Sequence, residues 1–466
     1  MLGMGNMRQW LMNISLVGGW FPAAAFAVIA VLSVTLLVSA AVSKRDGRIL
    51  ATVLPIGVAA VSGMVGYVVA WLLSDVFVVF GVGLGSRVMS WVAAGFAIAG
   101  FAIVHIVLSR GMMRVAAAIL TVFAILAAAI GIDQSYGEYA TIGSLFGEDS
   151  YSQADLTGLA KRKDLITVAQ WRKQAANGTI RNIPANGTVN KIDIPATKSQ
   201  FEARKALVYL PPAALADSKR KPALPVVLML SGQPGSPGRV FQAGGIQTMM
   251  DGYAKTHDGL APIVIAADQL GADSHNTLCV DSKVYGNALT YLTQDVVDWV
   301  KTNLPAAQDA KDWAIAGFSQ GATCSLQIGV NHPDLFGTTI PTDSEIKPTN
   351  GSRQEMIDRF FDGDTTAYEN QVPVNAIRNH APTHQMLIIG AGEKDTTSIR
   401  NVKTIAPVAA KAGMRVAAVE SSGNAHDWHA VQDVLRYGLA VFGHDTGLDG
   451  ANPNLSDYPN LKRITI

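Results

Sequence analysis

The chain changes character near residue 135. Before it, Ala, Val, Ile, Leu, Phe and Gly dominate, with four apolar runs at about 14–42, 49–73, 91–108 and 115–132. Each is long enough to cross a bilayer as a helix, which takes about 18 residues or more. None carries the polar stripe of a buried soluble helix. A cleaved signal peptide would account for the first run and leave the other three. The basic residues fall unevenly between the runs. Lys44, Arg45 and Arg48 separate the first two, and Arg110 and Arg114 the last two, against Arg8 and Arg87 in the other connections. The excess of positive charge on cytoplasmic loops then predicts both termini, and the large C-terminal part, on the outer face of the cell membrane. His105 is the one titratable group well inside a run. With no charged relay beside it, the apolar half reads as an anchor.

Beyond residue 145 the pattern is that of a globular protein. Short β-branched runs at 206–210, 225–230, 262–267, 313–316, 338–341, 385–389 and 415–419 alternate with helix-length segments such as 289–303, "LTYLTQDVVDWVKTN". Strands alternating with helices predict an α/β domain with a mostly parallel sheet. The expected organisation is an anchor over 1–135, a linker and entry to the sheet over 136–191, a catalytic domain over 192–445 and a tail over 446–466. That tail is either a loose extension or a strap. The two Asn-Gly-Thr triplets at 177 and 186 read as turns.

Reactive groups in such sheets gather at the carboxyl ends of strands. After the run at 313–316 comes Gly317-Phe318-Ser319-Gln320-Gly321, followed by a helix-like segment. A nucleophile on a sharp strand-to-helix turn needs small neighbours, and G-x-S-x-G supplies them. Ser319 is therefore the expected nucleophile. The acid of a Ser…Asp…His order belongs after a later strand, where "GAGEKDTTS" offers Asp395 and Glu393. Asp343, in "IPTDSE", is a further candidate, and Asp395 is preferred. A histidine on the loop after the last strand completes the set. His426 follows the flexible Gly423-Asn424-Ala425, whereas His429 begins to look helical, so His426 is the expected base. The loop Ser231-Gly232-Gln233-Pro234-Gly235, after an early strand, would give one oxyanion donor through Gln233 N–H. Gln320 N–H would give the other.

Charge and cysteine usage narrow the picture. With 37 basic against 36 acidic residues there is no electrostatic case for nucleic acid. The only two cysteines, Cys279 and Cys324, lie in the part predicted to be outside the cytoplasm, which suggests a disulfide beside the site. No spacing motif supports metal binding by them. His380 and His384 have an i, i+4 spacing but lack an acidic partner. No cofactor or metal is expected, and the oligomeric state is open.

Together, "GFSQG", "GEKD" and "HDW" resemble the esterase D group of α/β-hydrolases, which includes the antigen 85 mycolyltransferases and feruloyl esterases. The resemblance spans roughly 192–442, and with four spans and the "SGQPGSP" loop it is similar to actinobacterial cell-envelope esterases. It implies His426 in the family's histidine position, before Asp427 and Trp428. Ser231 departs from the family, where many members have His or Asp before the loop glycine. The expectation is a membrane-anchored serine esterase acting on a lipid or glycolipid ester of the envelope. Its alternatives are an acyltransferase to a sugar alcohol and a catalytically silent scaffold or receptor.

Overall fold

The computed structural model describes residues 2–42, 48–77, 79, 84–148, 151–159, 164–180, 182–379 and 384–466. Two compact units divide the chain: Met1–Glu148 with the three residues Ala425–Asp427, and Asp149–Asn424 with Trp428–Ile466.

The first unit is helical: α1 (Leu2–Met12), α2 (Trp20–Ala41), α3 (Arg48–Trp71), α4 (Gly85–Leu108) and α5 (Met112–Tyr136). Four stretches are long and apolar enough to cross a membrane: Trp20–Ala41, Ala51–Val76, Gly85–Leu108 and Met112–Tyr136. The first starts six residues later than its apolar run. Ser15 instead forms an antiparallel bridge with Thr141, and Leu16 N–H donates to Ala140 O at 3.0 Å. Small residues let the helices approach, the usual device where lipid removes any hydrophobic drive for association. A Cβ on Gly131 would lie 2.2 Å from the Trp91 ring, and one on Gly66 2.8 Å from Phe96. His105 is buried with its ring 4.6 Å from that of Phe101, and its Nε2 has no hydrogen bond among the described residues. Lys44 and Arg45, which carry much of the orientation argument, lie outside the described residues, as does His380.

The second unit is an α/β domain. The strands of its main sheet are β1 (Ser152–Gln153), β2 (Thr188–Ile192), β3 (Ala206–Leu210), β4 (Val226–Leu230), β5 (Ile263–Ala266), β6 (Trp313–Phe318), β7 (Thr338–Thr342), β8 (Met386–Gly392), β9 (Arg415–Ser421) and β10 (Leu461–Arg463). They form one sheet in the order β1-β2-β3-β5-β4-β6-β7-β8-β9-β10. From β5 to β9 all neighbours are parallel; β3 and β10 pair antiparallel at the flanks of this block. The strands are apolar runs because both faces are covered. On β4 and β6, Leu228, Leu230 and Ile315 pack on one side, and Val227, Met229, Ala314 and Ala316 on the other. This is the two-residue alternation of a strand. The seven strands expected from the sequence all form. β10 lies in the tail and pairs with β9, with Ser421 opposite Leu461, so the tail straps the sheet edge. Segment 289–303 is helical throughout, with a wide π turn at Tyr291–Asp295.

Asp295, on that π turn, anchors the entry to β3. Its carboxylate accepts the backbone N–H of Lys198 (2.9 Å) and of Ser199 (3.0 Å), and the Thr197 hydroxyl at 3.3 Å. Burial opposes its charge, yet these bonds outweigh burial and hold the carboxyl below its usual range. Losing the acceptor leaves the buried Ser199 N–H unpaired, a cost of about 1–3 kcal/mol. We expect Asp295→Ala to lower the thermal midpoint at neutral pH. A depressed carboxyl stabilises above its unfolded pKa of about 3.9 and ceases to as pH falls through the lower folded value. The wild-type advantage in thermal melts should therefore shrink below about pH 4.

Candidate active site

The elbow is set by register. β6 lies between β4 and β7, with Gly317 opposite Leu230 on one side and Pro341 on the other. The chain then reverses at Ser319 into α6 (Gln320–Asn331). Ser319 has φ 55° and ψ −117°, a conformation that costs a non-glycine residue on the order of 1–3 kcal/mol. Its N–H donates to Thr342 O at 3.0 Å, and its carbonyl accepts Thr323 N–H at 3.0 Å, so strand and helix both hold the turn. The flanking glycines are required by space. A Cβ at Gly317 would lie 2.2 Å from Gly321 O, and one at Gly321 would lie 2.3 Å from Ser231 O. Ser319 is half-buried and stands at the N-terminus of α6, whose dipole favours negative charge there.

The loop after β4 packs on this turn. A Cβ on Gly232 would lie 3.5 Å from Ser319 Cβ and 3.3 Å from the Phe318 ring. Gln233, next in the loop, is exposed and precedes a cis peptide to Pro234. Gln320 follows Ser319 in the first turn of α6, where backbone amides lack helical acceptors. A disulfide joins Cys279 to Cys324, on α6 one turn after Gln320.

The acid and base candidates sit at the ends of β7, β8 and β9. Asp343, Asp395 and His426 each offer a ligand atom within 4.8 Å of the others, the one such trio among the described residues. Asp343 and Asp395 are buried, and His426 is half-buried. The sequence had placed Asp343 as a lesser candidate, and here both carboxylates gather at the histidine. Asp343 Oδ1 accepts Gly392 N–H at 2.9 Å. Asp395 caps α7 (Thr396–Lys411), its Oδ1 accepting Ser398 N–H at 3.0 Å. A histidine with two carboxylates is also a donor set that a cation could use. Asp343 and Asp395 follow strands of the same parallel block as the strand that leads into Ser319, an arrangement that also fits a hydrogen-bonded imidazole.

Glu393 does other work. Its Oε2 accepts Gly423 N–H at 2.7 Å, and its Oε1 pairs with Lys462 of β10 at 3.0 Å. The Gly423 N–H and Lys462 hold its carboxyl below the usual range. It ties the histidine loop to the strap. Lys394 N–H donates to Asn424 O at 2.8 Å, and buried Asp433 on α8 (Trp428–Asp445) accepts both Ser421 Oγ (2.7 Å) and Asn424 Nδ2 (3.2 Å). His429 lies in the first turn of α8, and Trp428 packs on Phe318 with centroids 5.0 Å apart.

An esterase family model, described as "Putative esterase", matches residues 198–438. The chain belongs to this family. It is a carboxylic ester hydrolase. An uncharacterized protein of Corynebacterium glutamicum is 32% identical over 333 residues, covering 70% of this chain and 74% of the relative. Among solved structures, an S-formylglutathione hydrolase of Agrobacterium tumefaciens is 16% identical and covers 57% of this chain and 99% of its own, with TM-score 0.46. A ferulic acid esterase of Anaeromyces mucronatus is 19% identical, covering 55% and 90% respectively, with TM-score 0.42.

The elbow yields a direct test. Gly321→Ala forces its new methyl against Ser231 O, and overpacking of this kind costs about 1–3 kcal/mol. It should also cut ester hydrolysis by roughly 100-fold, the scale of a misplaced reacting group. Activity on p-nitrophenyl acetate together with a thermal melt checks both.

Proposed function

We propose that this esterase is held in the cell membrane by its four apolar helices and hydrolyses an ester of an envelope lipid on the outer face. Ser319 attacks the ester carbonyl. His426 accepts the serine proton and returns it to the leaving alcohol, and water then releases the acid from the acyl-enzyme. Gln233 and Gln320 N–H stabilise the oxyanion. The observation that carries this reading is Ser319 in a strained φ 55°, ψ −117° turn between a parallel strand and a helix.

Asp395 orients the imidazole. Its turn and the histidine loop follow the paired strands β8 and β9, where Gly392 stands opposite Ser421, and are joined by the Lys394–Asn424 hydrogen bond. Asp343, one strand further away, supports the group through Gly392. Anchoring supports a lipid substrate, because enzyme and ester confined to one layer meet at raised effective concentration. Acylated glycolipids, mycolate-type esters and aminoacyl esters of phosphatidylglycerol all satisfy this chemistry. The outward orientation rests on the basic loops Lys44–Arg48 and Arg110–Arg114.

Lipid mass spectrometry of cells lacking the protein tests the substrate class. An ester lipid should accumulate and be removed on complementation with wild type but not with Ser319→Ala. Loss of an acylated glycolipid, restored only by wild type, would instead mean acyl transfer. Full complementation by Ser319→Ala would overturn the reading. On a p-nitrophenyl ester, Asp395→Asn should lower kcat by about 10⁴-fold, the scale of a lost imidazole-orienting carboxylate. Asp343→Asn should cost markedly less; the reverse ranking would move the role to Asp343.

A further inference from the structure

Gln269 follows β5 in the loop that leads to Cys279, and its side chain is completely buried. Its Nε2 donates to Ser231 O at 2.6 Å and to Gln320 Oε1 at 3.2 Å, with Ser231 Oγ at 3.3 Å. Ser231 opens the loop that carries Gln233, and Gln320 follows Ser319. One amide therefore bridges the two segments assigned the oxyanion donors. Its orientation is fixed, since a carbonyl oxygen only accepts and so requires Nε2 to face Ser231.

The Gln320 side chain is itself held from behind. Its Nε2 lies 3.2 Å from Cys324 Sγ, 3.7 Å from Cys279 Sγ and 3.2 Å from Asn276 Oδ1. The disulfide loop also grips the Gln269 main chain. Thr277 Oγ1 donates to Gln269 O at 2.7 Å, and Cys279 N–H donates to Thr277 Oγ1 at 3.1 Å. Leu278 and Cys279 have φ of 53° and 52°. Two successive side-chain-bearing residues in the left-handed region need surrounding constraint, which the crosslink to α6 supplies.

We propose that Gln269 is a positioning residue that, backed by the Cys279–Cys324 disulfide, holds the Ser231–Gln233 loop and the Ser319–Gln320 turn at the spacing an oxyanion needs. This rests on the proposed roles of Ser319, Gln233 and Gln320. A bridge of this kind acts on the transition state and leaves substrate binding alone, because the oxyanion forms only as the carbonyl is attacked. Gln269 touches no reacting atom.

The test uses the full chain in detergent with p-nitrophenyl butyrate and an alkyl trifluoromethyl ketone, whose serine adduct places an oxyanion in the same site. Gln269→Leu should lower kcat by roughly 10–100-fold with KM within about threefold, and should raise the ketone Ki by the same factor as kcat/KM falls. Gln269→Asn keeps the amide but shortens its reach, and should shift both quantities in the same direction. Dithiothreitol treatment of the wild type should do so by at least about threefold. A Gln269→Leu enzyme within twofold of wild type in kcat would overturn the proposal, as would a loss of kcat without a matching change in ketone affinity. If neither variant folds, the reduced wild type carries the comparison, and unchanged kcat and Ki there would overturn it. Ser319→Ala, run in parallel, separates the two claims. Should that variant retain hydrolysis, the nucleophile assignment fails; should it be inactive while Gln269→Leu is unaffected, only the positioning role fails.

Discussion

The site depends on a backbone conformation that the chain would not adopt unaided. Ser319 is held at positive φ where β6 ends and α6 begins. It stays there because Thr342 O on the neighbouring strand takes its N–H, and because Gly317 and Gly321 leave room for the reversal. Strain of this size persists only where the surroundings over-determine it. Here the surroundings are the parallel block of the sheet, whose strands are buried on both faces and fixed in register. The sheet thus does more than support the site. It supplies the constraint that holds Ser319 in its strained turn.

The candidate acid and base groups arrive from separate strand ends, each held by a short local device. Asp395 caps the helix that follows it, Asp343 is fixed by Gly392 N–H, and the histidine loop is tied by Glu393, Lys394 and Asp433. The strap formed by β10 reaches the same loop through Lys462. Three of these bonds, at Asp343, Asp395 and Glu393, join a carboxylate to a backbone N–H, which fixes position and shields charge together. The first unit adds a different kind of information. Its helices pack through glycines and expose apolar side chains broadly, and four of its stretches are long and apolar enough to cross a membrane.

Much of this was legible in the sequence where burial wrote a strong pattern. The seven apolar runs became strands because both faces of the parallel block are covered. β2, "TVNKI", escaped notice because its polar residues lie on a half-exposed flank. β1 and β10 are too short to show a period. The serine elbow could be read because its steric demand fixes residue types at three positions. The acid could not be fixed in the same way. Asp343, Asp395 and Glu393 are all strand-end carboxylates, and what separates them is the hydrogen bonds of three loops, which no spacing encodes. Gln269 left no signal beyond its place after a strand, because its role comes from two segments distant in sequence.

The most direct measurement is the site of covalent capture. The full chain in membranes, treated with a fluorophosphonate, digested and mapped by mass spectrometry, should carry a single adduct on Ser319, and heat denaturation beforehand should abolish it. An intact, esterolytic protein that takes no label, or takes it at another residue, would contradict the account.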